Sequence, residues 1–213
     1  MVVDELQALL TETYALELGY DVRDFLLTDA AVAGALDRTG RTSEEKLLIA
    51  EQDGEAAVSL YLDPAVLGRL HRNNPASQLG AENIEDFWTA LEGVSHFLYY
   101  AWNAALEKCV TLMEMELQAE VDKFIAAVFL LRRHGNVQTR SLHRWLFDLP
   151  RFDPRLERHE LDRYRAANRY AGKYCLTLAR RLAGNVDPAT LKRELCYFYR
   201  LPQPAKIQHI DAI

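Results

Sequence analysis

Apolar positions recur at helical spacing through residues 83–131, a proline-free stretch of 49 residues. Phe87, Leu91, Val94, Leu98 and Ala101 fall on one side of a helix, and Phe97, Tyr100 and Ala104 widen that stripe. One helix of this length is unusual in a globular protein. Cys109, Val110 and Thr111 are weak helix formers, and Thr111-x-x-Glu114 reads as a capping box. The pattern therefore predicts two helices, 84–108 and 112–132, packed as an antiparallel hairpin, with Asn83 capping the first.

The period changes around this pair. Residues 4–18 carry a helical stripe of Leu6, Leu9, Leu10, Thr13 and Leu16, ended by Gly19. Residues 22–27 suit a short strand or a helix start, and Asp29 caps a short helix over 30–36. Residues 46–62 alternate as strands about an Asp53-Gly54 turn. That turn sets Ile49 opposite Val58 and Leu47 opposite Leu60 on one face, with Lys46, Gln52, Glu55 and Ser59 on the other. A lone hairpin is marginal, so it must pack on helices or gain a third strand.

Asp-Pro pairs start three further helices: 64–72 after Asp63, 154–183 after Asp153, and 188–200 after Asp187. Residues 141–147 form one short helix. The long helix has a buried stripe of Leu161, Tyr164, Asn168, Ala171, Cys175, Leu178 and Leu182, and the last turns Leu191, Leu195 and Phe198 inward. Pro202 and Pro204 predict an extended tail over 201–213, whose Ile207, Ile210 and Ile213 offer a partner-binding edge. The fold class is mainly α: a helical bundle around a central antiparallel pair, with one β-hairpin, in a single domain over 1–213.

Charge changes this picture more than composition does. The net charge of −6 hides 23 acidic against 8 basic residues in 1–131, net −15, and 17 basic against 8 acidic in 132–213, net +9. Such asymmetry favours a polyanion partner, self-association, or internal pairing of the halves. Arg132, Arg133, Arg140, Arg144, Arg151, Arg155, Arg158, Arg165 and Arg169, with Trp145, form the candidate nucleic-acid surface; Tyr170 and Tyr174 would add stacking. Glu157, Glu160 and Asp162, interspersed among them, equally suit a solvated helix face.

Three widely spaced cysteines, Cys109, Cys175 and Cys196, argue against a disulfide framework and for a reducing, cytoplasmic setting. The sequence shows neither a signal-peptide pattern nor a membrane-length apolar run, so no membrane partner is expected. Phosphate loops, nucleophile elbows, His-Glu-x-x-His and Cys-x-x-Cys are all absent, which points away from an enzyme and implies no cofactor. Glu92 and His96 share a helix face, as do Glu116 and Glu120, so these four are the candidate metal ligands. A di-metal carboxylate bundle would need two Glu-x-x-His pairs, which the chain lacks. The expectation is thus a half-buried His96 bonded to Glu92, with the other glutamates in solvent. The reading that follows is a non-enzymatic interaction or regulatory protein acting in an assembly. Nucleic-acid binding is the first alternative, and a helical-bundle metal protein or enzyme the second.

Overall fold

The computed structural model describes residues 2–37, 40–41, 43–52, 55–135, 139–150, 152–184 and 186–213. The central pair is present as α4 (Ile84–Ala104) and α5 (Leu112–Arg133). Contacts run antiparallel along it: Trp88 to Lys123, Ser95 to Asp122 and Tyr99 to Glu114. Thr111 caps α5 by accepting the Glu114 N–H at 3.0 Å. The Glu114 side chain does not complete a capping box; it accepts the Tyr99 hydroxyl and the Gln203 N–H instead. Asn83 likewise precedes α4 without a side-chain cap, because its amide is engaged by Gly80 N–H and by the Asn73 and Gln78 carbonyls.

Earlier segments wrap this pair. They are α1 (Val2–Tyr14), a 3-10 turn (Val22–Phe25), β1 (Leu26–Leu27), α2 (Ala30–Leu36), β2 (Glu45–Gln52), β3 (Glu55–Leu62) and α3 (Pro64–Arg72). Later come α6 (Thr139–His143), a π turn (Arg144–Asp148), α7 (Arg158–Ala183), α8 (Pro188–Arg200) and α9 (Gln203–Ala212). The protein is mainly α with a small sheet. One continuous core cluster draws on residues from Val2 to Ile210.

The strand ladder has the expected register, Leu47 with Leu60 and Ile49 with Val58, and β1 adds the third strand parallel to β3. The Asp53-Gly54 turn lies outside the described residues. Leu60 and Leu62 are wholly buried, on the face toward α4. The opposite face is not purely polar: Leu48 and Tyr61 are buried there with Ala33 of α2.

Several boundaries differ from expectation: α4 ends at Ala104 rather than 108, with Glu107 left-handed (φ 54°), and the expected 141–147 helix is α6 followed by the π turn. Helix α1 stops at Tyr14, because Ala15 turns left-handed (φ 49°) and the Leu16 N–H bonds back to Thr11. Arg200 then caps the Tyr14 and Ala15 carbonyls, which offsets the cost of about 1–2 kcal/mol for a left-handed alanine. Helix α7 starts at Arg158, not 154. Asp153-Pro154 forms a turn, whereas the reciprocal box of Glu157 and Glu160 supplies the real start. The tail is not extended. Pro204 lies in the first turn of α9, where a missing N–H is harmless, and Ile210 is fully buried.

Candidate functional site

Helix α5 is buried on nearly all sides, yet it carries Glu114, Glu116, Gln118, Asp122 and Lys123 into the interior. Buried polar groups demand partners. At 100° per residue these side chains sort into two ridges on opposite faces: Glu114, Gln118 and Asp122 on one, Glu116, Glu120 and Lys123 on the other.

The first ridge is closed. Asp122 accepts from Tyr14, from Ser95 at 2.6 Å and from Gln118 at 2.8 Å. Lys206 of α9, with no exposed surface, donates to the Gln118 side chain at 2.8 Å and to the Phe198 carbonyl at 2.6 Å. Its ammonium lies 4.2 Å from the Phe198 ring centre. Burial raises Asp122 to about 6 and lowers Lys206 to about 7, the latter against the upward pull of Glu114 and Asp122.

The second ridge opens into a cleft of about 840 Å³. Helix α4 adds Glu92 and His96, β2 adds Glu45, and α7 adds Arg163 and Tyr164. Trp88, Trp145, Leu146, Leu149, Phe152 and Leu156 form its apolar wall, with the two indoles edge to face at 5.2 Å. Lys123 Nζ bridges Glu92 at 3.0 Å and Glu120 at 2.6 Å. His96 stands between two carboxylates, with Nδ1 3.8 Å from Glu45 and Nε2 3.7 Å from Glu116. Arg163 Nε is 3.8 Å from Glu116. These last three separations are ion pairs, too long for hydrogen bonds.

Four buried atoms here have no hydrogen-bond partner: Glu45 Oε2, His96 Nε2, Glu120 Oε2 and Arg163 Nε. Each orphan of this kind costs about 1–3 kcal/mol. One ligand atom each from Glu92, His96 and Glu116 lie within 4.8 Å of one another, near enough for side-chain shifts to bring them onto one ion. Cis or tetrahedral ligands at about 2.1 Å from one ion stand about 3.0–3.4 Å apart, so the 3.7 Å between His96 and Glu116 closes with a shift of a few tenths of an ångström.

The electrostatics fit a cation. Glu92 and Glu120 pair with Lys123, and Glu116 with Arg163. Burial lifts Glu116 to about 7, and raises Glu45 and Glu120. Burial also pushes Glu92 upward, but Lys123 and His96 outweigh it and the net shift is down. Burial pulls His96 down, yet Glu45, Glu116 and Glu92 together hold it at about 9. Burial raises the Tyr164 phenol.

The four candidate ligands from the sequence thus converge, although the expected environment was wrong. His96 is 7% exposed and is set between Glu45 and Glu116; Glu92 pairs with Lys123, and Glu116 is buried rather than solvated. Glu45, Lys123, Arg163 and Tyr164 were missed. Lys123 had a signal, seven residues from Glu116 on the same face; Glu45 had none.

The arginine set does not form one surface of free side chains. Arg132 donates to the Leu182 carbonyl, Arg155 forks onto Asp153, and Arg169 lies over Tyr170 at 4.7 Å. Arg133, Arg140, Arg144, Arg158 and Arg165 are exposed; Arg151 lies outside the described residues. Tyr174 is wholly buried and stacked on Phe198, and Trp145 belongs to the cleft wall. In the tail, Ile207 is half-buried, Ile210 is in the core and Ile213 is exposed. All three cysteines are free. Among the described residues, no helix is long and apolar enough to cross a membrane. No protein-family model matches the chain, and comparison with curated proteins and with solved structures gives no significant match.

Proposed function

We propose that this protein binds a divalent transition-metal ion through Glu92, His96 and Glu116, and uses it as an enzyme acting on a small substrate held in the adjoining cleft. The observation that carries this reading is the contrast between the two ridges of α5. On the closed side Glu114, Gln118 and Asp122 are hydrogen-bonded, as a structural network should be. On the open side His96 Nε2, nine-tenths buried, has no hydrogen-bond partner.

One imidazole and two carboxylates, with no thiolate, suit Mn2+, Fe2+ or Zn2+. Three protein ligands leave positions open toward the cleft, the arrangement of catalytic rather than structural sites. A bound ion would supply Lewis acidity and lower the pKa of a coordinated water. Around it, Glu45 offers a carboxylate oxygen to accept a proton, Arg163 an N–H to hold a substrate oxygen, and the two indoles an apolar wall. The nucleic-acid reading rests on charge layout, and the interaction reading on charge layout, the isoleucine-spaced tail and the lack of catalytic motifs.

The test is metal titration of the purified protein by calorimetry, with elemental analysis. One ion per chain is expected, with affinity reduced more than about a hundredfold in H96A and E116Q, since each loses a direct ligand. A wild-type chain that binds none of Mn2+, Fe2+ and Zn2+ would sink the reading.

A further inference from the structure

The cluster holds more carboxylate than one ion requires. Glu92, His96 and Glu116 make one set of ligands. Glu120 lies on α5 one turn beyond Glu116, and its Oε2 is buried without a hydrogen bond. Glu92 faces both groups. It belongs to the metal set and also accepts from Lys123 Nζ at 3.0 Å, while Glu120 accepts from the same ammonium at 2.6 Å. A carboxylate shared between two cations, with a further carboxylate on the far cation, is the layout of a two-metal site. Here the second cation is covalently part of the chain.

From this geometry we infer that the Lys123 ammonium occupies the second cation position of the carboxylate cluster and so restricts it to a single metal ion. The inference rests on the metal reading above. Lys123 is well placed for this task. Its side chain is one-tenth exposed, and the Trp88 indole N–H donates to its carbonyl at 3.3 Å, tying this turn of α5 to α4. An ammonium balances one negative charge where a metal would balance two. It has no open coordination position, so it neither binds water as a nucleophile nor changes oxidation state. The site is thereby committed to one-ion chemistry, with Glu120 serving the lysine rather than the metal. Removing the ammonium leaves Glu92 and Glu120 without their shared cation.

Mn2+ is the probe, counted by calorimetry and by spin coupling in electron paramagnetic resonance. Wild type is expected to bind one ion, K123M two spin-coupled ions, and K123R one. A K123M chain that still binds one ion overturns the inference and leaves the metal reading standing. A wild-type chain that binds two does the same, and one that binds none overturns both. E120Q, which keeps Lys123, decides the matter if K123M does not fold. It should bind one Mn2+ with a loss of affinity no greater than about a hundredfold, the upper end of an outer-shell change. A loss of more than about a hundredfold would make Glu120 a ligand of the first ion and overturn the inference.

Discussion

Gly93 shows how tightly single positions are held. A Cβ there would stand 2.8 Å from Leu60 Cδ1, 3.1 Å from Glu45 Oε2 and 3.2 Å from Leu62 Cδ2. The bare glycine lets α4 lie against the sheet, and so lets Glu45 reach His96. G93A gains about 1 kcal/mol of helix propensity but must displace packed leucines, which costs about 1–3 kcal/mol. Urea unfolding should show a net loss of about 1 kcal/mol, with weaker metal affinity as Glu45 is pushed aside. Unchanged stability and affinity would mean that this contact is slack. Glu92, His96, Glu116 and Glu120 were legible as candidates at this scale because i, i+4 spacing fixes a shared face. Whether that face meets solvent or protein was not legible. It depends on α7 and on the 43–47 segment, which lie far away in the chain. Glu45 was invisible for the same reason: nothing local marks the first residue of a strand as a neighbour of a histidine 51 residues on.

Among the elements, α9 is the one that sequence patterning misjudged most. Two prolines suggested an extended tail, but proline is tolerated in the first helical turn. Lys206 supplies hydrogen bonds to Gln118 and to the end of α8, beside the Gln203 N–H on Glu114, the His209–Glu194 contact and the buried Ile210. No local pattern predicts a buried lysine; its partners lie on α5 and α8. K206M leaves the Gln118 oxygen and the Phe198 carbonyl short of a donor, and should cost about 3 kcal/mol at neutral pH. The pH dependence has a definite sign. Lys206 in the folded chain titrates near 7, below a free lysine, so between the two values the unfolded chain binds the extra proton. Its contribution to stability therefore rises with pH from 7 toward 10. Melting temperatures of wild type and K206M, compared at pH 7 and pH 9, should diverge in favour of wild type at the higher pH. Parallel shifts would show that Lys206 keeps an ordinary pKa. The strands and α3, α5 and α8 were well read, since hairpin alternation, Asp-Pro starts and the Thr111 cap are local signals. The 154 start failed because an Asp-Pro turn and an Asp-Pro cap look alike in sequence.

For the molecule as a whole, the −15 and +9 halves meet at α5 and α7, where Arg163 reaches Glu116, and Arg41 reaches back to Glu160 at 2.7 Å. The cleft gathers buried carboxylates from α4, α5 and β2, and an ion bound there by the folded chain alone would act on global stability. At a hundred times its Kd it should add about 2.7 kcal/mol, raising the melting temperature by about 5–10 °C. Differential scanning calorimetry with and without Mn2+ would show this, and H96A should abolish the rise. A rise that persists in H96A would place the ion elsewhere. The mainly α class and the central pair were readable because period and length suffice for them. The site was not, because it is assembled from four distant segments. Those segments also differ in when they can meet. Glu92, His96, Glu116, Glu120 and Lys123 all ride on the α4–α5 hairpin, and His96 and Glu116 are separated by only 20 positions. Short closures are fast and carry little entropic cost, whereas the docking of β2 and α7 is long-range and late. The three ligands can therefore gather round an ion while the rest of the chain is still loose. On the metal reading, an ion present during refolding would become a nucleus for the remaining elements and speed folding itself, with little effect on the rate of unfolding.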